Sequence, residues 1–234
     1  MTHEIHLEVK PDERPRLTKS AVLEAGLALA DAEGLEALTI RRLAQGLRVT
    51  PMALYWHFKS KDELMEGLVD RVMAAVDLSV DPARPWLEEL EGLVRSFVAA
   101  LRLHPRAGAR LADCDLLSDR TPHVLAALEA TLDILGRAGF SASDATRITL
   151  YVMHSAIALV LSEPGYSPEL SEAERREAER RTRVLLETLP PDRYPRIREA
   201  AIPLASCDDP DAHYAFGVDL LLAGVEAMAT RLPH

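Results

Sequence analysis

The sequence predicts an all-α protein that divides near residue 80 into two helical parts. Apolar residues recur at steps of three and four along almost the whole chain, which is the period of a helix. Glycine and proline stand at the ends of these segments, and strand-like alternation is almost absent. The 234 residues are 48% hydrophobic and 27% charged, which is ordinary for a globular protein with a sizeable core.

The first part is predicted to hold four short helices bounded by capping residues. Gly34 closes the first helix as a C-terminal cap. Thr39 caps the second, and Thr50 caps the third, where Pro51 takes the first position because its missing N–H is not needed there. The residues Ser60-Lys61-Asp62-Glu63 form a capping box for the fourth. The predicted spans are 17–33, 40–45, a helix opening at 50–51, and 60–76, with a turn at 46–49.

The second part follows a linker at 77–85 that contains two prolines. Longer helices are predicted at 86–103, 105–117, 121–138, 143–162 and 212–231. Ser171-Glu172-Ala173-Glu174 is a second capping box, and it precedes the run ERREAERR. The signs of the charges alternate along this run, so we interpret it as a solvated helix face rather than a nucleic-acid patch.

The segment 50–61, TPMALYWHFKSK, combines side chains that neither a core nor an ordinary surface would favour. It holds three of the eleven aromatic residues of the chain and two of its four lysines. Leu54 and Phe58 are four residues apart and are predicted to face inward, against partners from 43–49. Trp56 seen alone fits a core position equally well. The residues left on the outer face are Met52, Tyr55, Trp56 and Lys59.

Two short helices joined by a tight turn, with an aromatic and cationic face on the second, predict a DNA-binding helix-turn-helix. The major groove offers both phosphates and thymine methyl groups to such a face. Residues 39–61 carry a charge of +5 without a single acid, in a chain whose net charge is -10. This basic island meets the requirement for a local cationic surface on an acidic molecule.

The segment TIRRLAQGLRVTPMALYWHFKSKDELMEGL resembles the DNA-binding domain of the TetR family of bacterial repressors. The elements L-A-x-x-L, L-Y-W-H-F and K-x-x-L stand in the order and spacing of that family, over about residues 17–76. The resemblance implies a homodimer on double-stranded DNA with a palindromic operator, in which each third helix enters the major groove. One departure is Arg48, where the family usually has glycine; a contact with phosphate would offset the cost of positive φ there.

The resemblance also implies roles for individual residues. Arg41 contacts a base or a phosphate, while Pro51, Met52 and Ala53 lie nearest the base edges. Because these three side chains carry no donors, we expect apolar readout of thymine methyl groups, with much of the specificity coming from Arg41 and from DNA shape. The full expected DNA-binding set is Thr39, Arg41, Arg48, Thr50, Pro51, Met52, Ala53, Tyr55, Trp56, His57, Lys59 and Lys61.

The second part is expected to serve dimerisation and ligand binding. The segment 148–161 is apolar almost all round, which predicts a helix buried on every side. It can pair with the small and apolar residues of 214–231 and their copies in a second chain as a four-helix interface. The predicted fold class is therefore an N-terminal three-helix helix-turn-helix DNA-binding domain plus a larger C-terminal helical ligand-binding and dimerisation domain. The predicted boundaries are a mobile tail at 1–16, the first domain at 17–76 and the second at 77–234.

The second part resembles the C-terminal domain of the tetracycline-repressor branch of the family. The matching landmarks are Arg106-Ala107-Gly108-Ala109-Arg110, Gly139-Phe140-Ser141 and the run 216–220. That branch binds a magnesium–tetracycline complex through a histidine a few residues after R-x-G-A, whereas residues 111–115 here read LADCD. We therefore expect no metal, no cofactor and a different ligand, which is small and apolar or amphipathic.

A cavity between helices is predicted to bind this ligand, with ordinary core packing as the alternative for most of its residues. His154 in particular also fits a hydrogen-bonded core or interface position. The expected ligand-binding residues are Val94, Val98, Leu128, Thr131, Leu135, Thr149, Met153 and His154.

Three further observations bear on the class of protein. The motifs HExxH, GxSxG, GxGxxG and the P-loop are missing from the sequence, so we expect a regulator rather than an enzyme. Cys114 and Cys207 are far apart, which favours free thiols in a reducing compartment and leaves a disulfide open. There is no apolar run of membrane-spanning length and no signal peptide, so we expect a cytoplasmic protein that does not contact membranes. The alternatives are a constitutive DNA-binding regulator without a ligand, and an all-α enzyme whose site is not visible in sequence.

Overall fold

A computed structural model describes residues 17–79, 81–112, 121–165 and 170–232, and all regular structure in these ranges is helical. The predicted all-α fold class is confirmed. The predicted tail at 1–16 lies outside the described residues, as does Cys114. The helices are α1 Lys19–Glu33, α2 Ile40–Leu47, α3 Pro51–Tyr55, α4 Lys61–Met73, α5 Trp86–Leu103, α6 Pro105–Ala109, α7 Pro122–Arg137, α8 Ala142–Leu161, α9 Glu172–Glu187, α10 Pro195–Glu199, α11 Ala201–Ala205 and α12 Pro210–Ala229.

The predicted caps of the first four helices are present. The side chains of Thr39 and Thr50 accept hydrogen bonds from the third residue of α2 and α3, and Gly34 closes α1 at φ 88°. The box at α4 differs in one bond: Ser60 Oγ accepts from the Glu63 N–H at 3.0 Å, but the Glu63 carboxylate accepts from the Lys59 N–H at 2.7 Å. The start of α4 is thus tied to the last turn of the helix-turn-helix.

Several predicted boundaries were wrong by two residues or more. Helix α2 continues through Gly46 to Leu47, because the chain turns only at Arg48. Helix α4 ends at Met73 instead of continuing to Val76. The helix predicted at 105–117 ends at Ala109 and tightens into a 3-10 turn, Arg110–Ala112, while residues 113–117 lie outside the described ranges. Short helices α10 and α11 were not predicted, since five residues are too few to show a period.

Helix α4 packs against helices on both sides of the linker, contacting α1 in the first part and α5, α6 and α7 in the second. Its contact with α1 is tight: a Cβ added at Gly67 would lie 3.0 Å from Leu23 Cδ2. One continuous apolar core therefore runs from α1 through α4 into α5, α7, α8 and α12. The predicted boundary at residues 76 and 77 stays a prediction.

Polar contacts reinforce this junction at two places. The Asp70 carboxylate of α4 accepts a hydrogen bond from the His123 N–H at the start of α7, at 2.8 Å. At the end of α1, His104 Nδ1 donates to Asp31 Oδ2 at 2.7 Å, and an Arg106 guanidinium N–H donates to the Ala30 carbonyl at 3.2 Å. The C-terminal ends of α1 and α4 are thus both bound to residues of the second part.

The prediction that α8 is buried on every side holds for only one of its faces within this chain. Val152, Ala156 and Val160 are buried against neighbouring helices. Tyr151, by contrast, is 69% exposed, and Phe216 of the neighbouring α12 is 70% exposed. The two helices therefore share an outward apolar face, which also includes Leu150, Leu161, Leu220 and Met228.

Helix α9 is solvated, as the alternating charges of ERREAERR predicted. None of its residues is buried. Glu177 accepts hydrogen bonds from Arg180 and Arg181, and these bonds lower its pKa below the ordinary value. The capping box at its start is complete, because Ser171 and Glu174 each accept from the backbone N–H of the other.

A candidate DNA-binding surface and a candidate ligand cavity

Helices α2 and α3 form a helix-turn-helix that is fixed from inside by apolar contacts. Leu54 and Phe58 are fully buried, together with Leu43 and Ala44 of α2. The spacing of four between Leu54 and Phe58 puts both on the inner side, as predicted. Helix α3 itself ends at Tyr55, so Trp56 and His57 lie in the turn that leads to α4.

The outer side of this motif carries an exposed aromatic and cationic surface. Trp56 is 86% exposed, which excludes the core position that it would also have fitted. Its exposure leaves a large apolar ring in water unless a partner covers it. Exposed beside it are Pro51, Met52, Tyr55, Lys59 and Lys61, while Ala53 and His57 are partly exposed. Thr39 and Arg41 are exposed at the start of α2, and Arg48 and Thr50 are exposed in the turn between α2 and α3.

Arg48 caps the C-terminus of α2 in the left-handed conformation, with φ 56° and ψ 40°. It is the sole non-glycine residue at positive φ in the described part of the chain. Its backbone N–H donates to the Gln45 carbonyl at 3.1 Å, and the Val49 N–H donates to the Ala44 carbonyl at 3.0 Å. Left-handed geometry costs a residue with a Cβ on the order of 1 kcal/mol, and glycine would adopt it freely.

The basic island is smaller than the sequence count indicated. Arg42 Nε donates to Glu33 Oε2 at 3.0 Å, and a second guanidinium N–H donates to the other carboxylate oxygen. This bidentate pair raises the pKa of Arg42 and lowers that of Glu33 through the hydrogen bonds between them. Glu33 stands just outside the counted window, so the count could not include it.

One cation near this surface was missed by the sequence analysis. Lys19 Nζ of α1 lies 5.1 Å from the centre of the Phe58 ring. Phe58 is buried on the inner side of the motif, so this contact places Lys19 behind the turn that follows α3 and not on its outer face. Its position in the first turn of α1, as one of only four lysines in the chain, was the available signal.

An apolar cavity of about 50 Å³ lies between α4, α5, α7 and α8. It brings together five of the eight predicted ligand-binding residues: Val94, Leu128, Thr131, Thr149 and Met153. Met73 and Val76, at the end of α4 and just after it, also line the cavity and were not predicted. Their contribution depends on the docking of α4 onto the second part, which no local sequence pattern reveals.

The other three predicted residues do not line this cavity. Val98 and Leu135 are buried in the surrounding core, so they fill space rather than border it. His154 is exposed, and its Nδ1 donates to the Leu150 carbonyl one turn earlier, at 2.7 Å. Placing His154 in the cavity was wrong, because it follows inward Val152 by two residues, about 200° around α8, and so lies on the opposite face.

Neither a metal site nor a membrane span is found among the residues described. These residues contain no group of three or more histidine, cysteine, aspartate or glutamate side chains that could hold a metal ion. The segment 113–115, where the resemblance expected a histidine, is outside the described ranges. Within these ranges no helix is both long and apolar enough to cross a membrane.

A helix-turn-helix with an exposed aromatic and cationic face, joined to a larger helical domain with an internal cavity, defines a two-domain DNA-binding regulator. Residues 22–68 match the family described as bacterial regulatory proteins, tetR family, and residues 80–229 match the tetracyclin repressor-like C-terminal domain. The chain belongs to the TetR family of transcriptional regulators, with an N-terminal DNA-binding domain and a C-terminal ligand-binding domain.

Known relatives match between about two thirds and nine tenths of the chain. The tetracycline repressor protein class C of Escherichia coli is 33% identical over 215 residues, which cover 91% of this chain and 92% of the relative. The class E repressor of the same organism is 37% identical over 150 residues, which cover 63% of this chain and 69% of the relative. The structure of Streptomyces coelicolor ActR in complex with (S)-DNPA has a TM-score of 0.70 at 28% identity, covering 90% of this chain and 98% of ActR. These relatives are regulators, so the expectation that the chain is not an enzyme is confirmed.

Proposed function

We propose that the protein is a repressor that binds a palindromic operator as a homodimer and leaves it when a small ligand occupies the cavity. The observation that carries the DNA half of this proposal is the exposed surface of Trp56, Tyr55 and Met52 beside Lys59 and Lys61. Apolar rings and cations together suit a groove that presents methyl groups between rows of phosphates. ActR, which was crystallised with small molecules, supports the ligand half by analogy.

The positions of the side chains support a specific set of contacts with DNA. Pro51, Met52 and Ala53 open α3 and would meet base edges, whereas Tyr55, Trp56 and His57 would meet phosphates or thymine methyl groups. The remaining polar and cationic side chains would hold the backbone and fix the orientation of α3. These are Thr39, Arg41, Arg48, Thr50, Lys59 and Lys61.

The shared apolar face of α8 and α12 supports the homodimer. A groove on this face is bordered by Tyr151, Leu220, Gly224 and Met228. Exposed apolar surface of this kind marks an interaction site, and a two-fold axis through it would bring four helices together. The two copies of α3 would then lie about 34–36 Å apart, one turn of DNA, when they are correctly spaced.

Helix α4 supports a route from the cavity to the DNA. Met73 and Val76 border the cavity, while the same helix packs tightly on α1 through Gly67 and Leu23. A ligand that enlarges the cavity would displace α4 and, through α1, the helix-turn-helix. Because coupling is reciprocal, such a ligand binds more weakly when operator is present.

The first experiment measures binding to the DNA just upstream of the coding region, over a series of salt concentrations. We expect tight, salt-sensitive binding that Tyr55→Ala combined with Lys61→Ala abolishes. The matched control combines Tyr194→Ala with Arg196→Ala, which removes an aromatic ring and a cation at a distance from the surface. Equal binding by both double variants would refute the proposed surface, and selection from random DNA would locate an operator elsewhere.

A further inference from the structure

The lining of the cavity has no charged group to offer a ligand. Among the described lining residues, all side chains are apolar except those of Thr131 and Thr149. His154, the titratable side chain that the sequence placed here, lies on the outer face of α8. An ionised ligand would therefore lose its hydration without gaining a counter-charge, which strongly disfavours its binding.

The two threonine hydroxyls already donate their protons to carbonyl groups of their own helices. Thr131 Oγ1 donates to the Ala127 carbonyl at 2.8 Å, and Thr149 Oγ1 donates to the Ala145 carbonyl at 2.8 Å. A hydroxyl has one proton, so neither group can also donate to a carboxylate or a phosphate without breaking its helix contact. What remains available is acceptor capacity alone.

The cavity can be enlarged from its present volume of about 50 Å³ by side-chain movement. Met73 and Met153 are unbranched and adapt readily to the shape of a neighbour. Leu93, Leu128 and Met153 retain partial exposure, which marks where the cavity approaches the surface. Access from solvent thus also passes between apolar side chains.

We propose that this cavity takes an uncharged, hydrocarbon-rich molecule and rejects the ionised counterpart of the same size. This inference rests on the proposed ligand-binding role of the cavity and narrows the chemical class of the ligand. It separates this chain from a site that holds a charged metal complex. A hydroxyl or amide N–H donor on the ligand fits the free acceptor capacity of the threonine oxygens, whereas a carboxylate does not.

The test uses toluene and benzoate, which share a ring and differ chiefly in charge, and observes methionine methyl groups by NMR in the full-length protein. Met73 and Met153 border the cavity, while Met52 and Met228 are exposed elsewhere and serve as internal references. Toluene should shift the Met73 and Met153 signals saturably and leave Met52 unchanged. Benzoate should bind at least about 100-fold more weakly, as expected for an ionised group without a partner.

Two variants of α7 locate the bound ring. Leu128→Trp places bulk at the partly exposed side of the cavity and should abolish the toluene response. Leu125→Trp adds the same bulk to an exposed position on the same helix and should leave it intact. Equal affinity for benzoate, a response confined to Met228, or no response to toluene would each overturn the proposal.

Operator binding by the same preparation separates this inference from the proposed function. A protein that binds operator but not toluene disproves the ligand class and leaves the DNA-binding role standing. A protein that takes toluene into the cavity and keeps its operator affinity supports the ligand class. That result would also show that toluene can occupy the cavity without releasing the protein from its operator.

Discussion

The Asp70 carboxylate of α4 holds the first turn of α7 through His123. One carboxylate oxygen accepts the His123 backbone N–H at 2.8 Å and that of Val124 at 3.4 Å, while the other accepts His123 Nδ1 at 2.8 Å. A carboxylate at this position satisfies N–H groups that have no partner inside the helix and interacts favourably with the helix dipole. The cap of α7 is thus supplied by another helix, and that helix also borders the cavity.

Removing the Asp70 carboxylate should destabilise the junction between the two parts. We expect Asp70→Ala to lower the free energy of unfolding by about 1–2 kcal/mol, the usual effect of losing a helix cap. His123→Ala keeps the backbone N–H bonds and loses only the ring contact, so its effect should be smaller. Urea denaturation of both variants measures the difference. Equal losses would show that the ring contact, and not the cap, carries the interaction.

Replacing Arg48 with glycine should raise the free energy of unfolding and lower the affinity for DNA. Arg48→Gly relieves the left-handed strain and should raise the free energy of unfolding by about 0.5–1 kcal/mol. The same variant loses a cation, so its operator affinity should fall and the slope of log affinity against log salt should flatten by about 1. Arg48→Ala is the control, since it removes the charge without providing glycine's freedom. If it becomes as stable as Arg48→Gly, strain is not the cause.

Glu33 restrains a cation at the edge of the proposed DNA-binding surface. Glu33→Gln removes the acidic partner of Arg42 and should tighten binding to a non-operator duplex several-fold, with a steeper salt dependence. Glu36→Gln makes the same change in net charge at an exposed position three residues away. Fluorescence anisotropy with a labelled duplex compares the two. An identical gain in both variants would indicate a general charge effect and not the release of Arg42.

The structure also explains which features the sequence could predict. The inward placement of Leu54 and Phe58 depends on local spacing, so it was predictable, and so were the caps Thr39 and Thr50. The partnership of Arg42 with Glu33 depends on how the end of α1 lies beside α2. Net charge counted along the chain does not contain that information.

The lining of the cavity could also be predicted only in part from local sequence. An apolar helix such as α8 has no polar face to mark its outer side, so its periodicity could not decide between Met153 and His154. The structure turns Met153 to the cavity and His154 to solvent. Met73 and Val76 were not predicted to line the cavity, because the docking of α4 against α7 is a property of the assembled fold.

Tyr214 should make stability depend on pH in the alkaline range. Burial, together with its hydrogen bond to Glu163, raises the pKa of the phenol. The unfolded chain releases this proton near the ordinary tyrosine pKa of about 10, whereas the folded chain retains it. Stability from this group is therefore complete below pH of about 10 and declines as pH rises above it. Urea denaturation at a series of pH values above about 10 measures the free energy of unfolding, which should fall less steeply with pH for Tyr214→Phe than for the unsubstituted protein. Parallel curves for the two proteins would contradict the raised pKa.

The outward face of α8 and α12 should be the dimer interface. Leu220 is 64% exposed in the single chain, so Leu220→Glu should not disturb the fold. In a symmetric dimer the same change would bury a carboxylate from each copy without a counter-charge, which should weaken association by at least about 100-fold.

Leu103→Glu is the matched control, because Leu103 is 67% exposed at the end of α5, away from this face. Sedimentation equilibrium should show a monomer for Leu220→Glu and a dimer for Leu103→Glu. A dimer for both variants would place the interface elsewhere. A monomer for the unsubstituted protein would contradict the two-fold arrangement on which operator binding is proposed to depend.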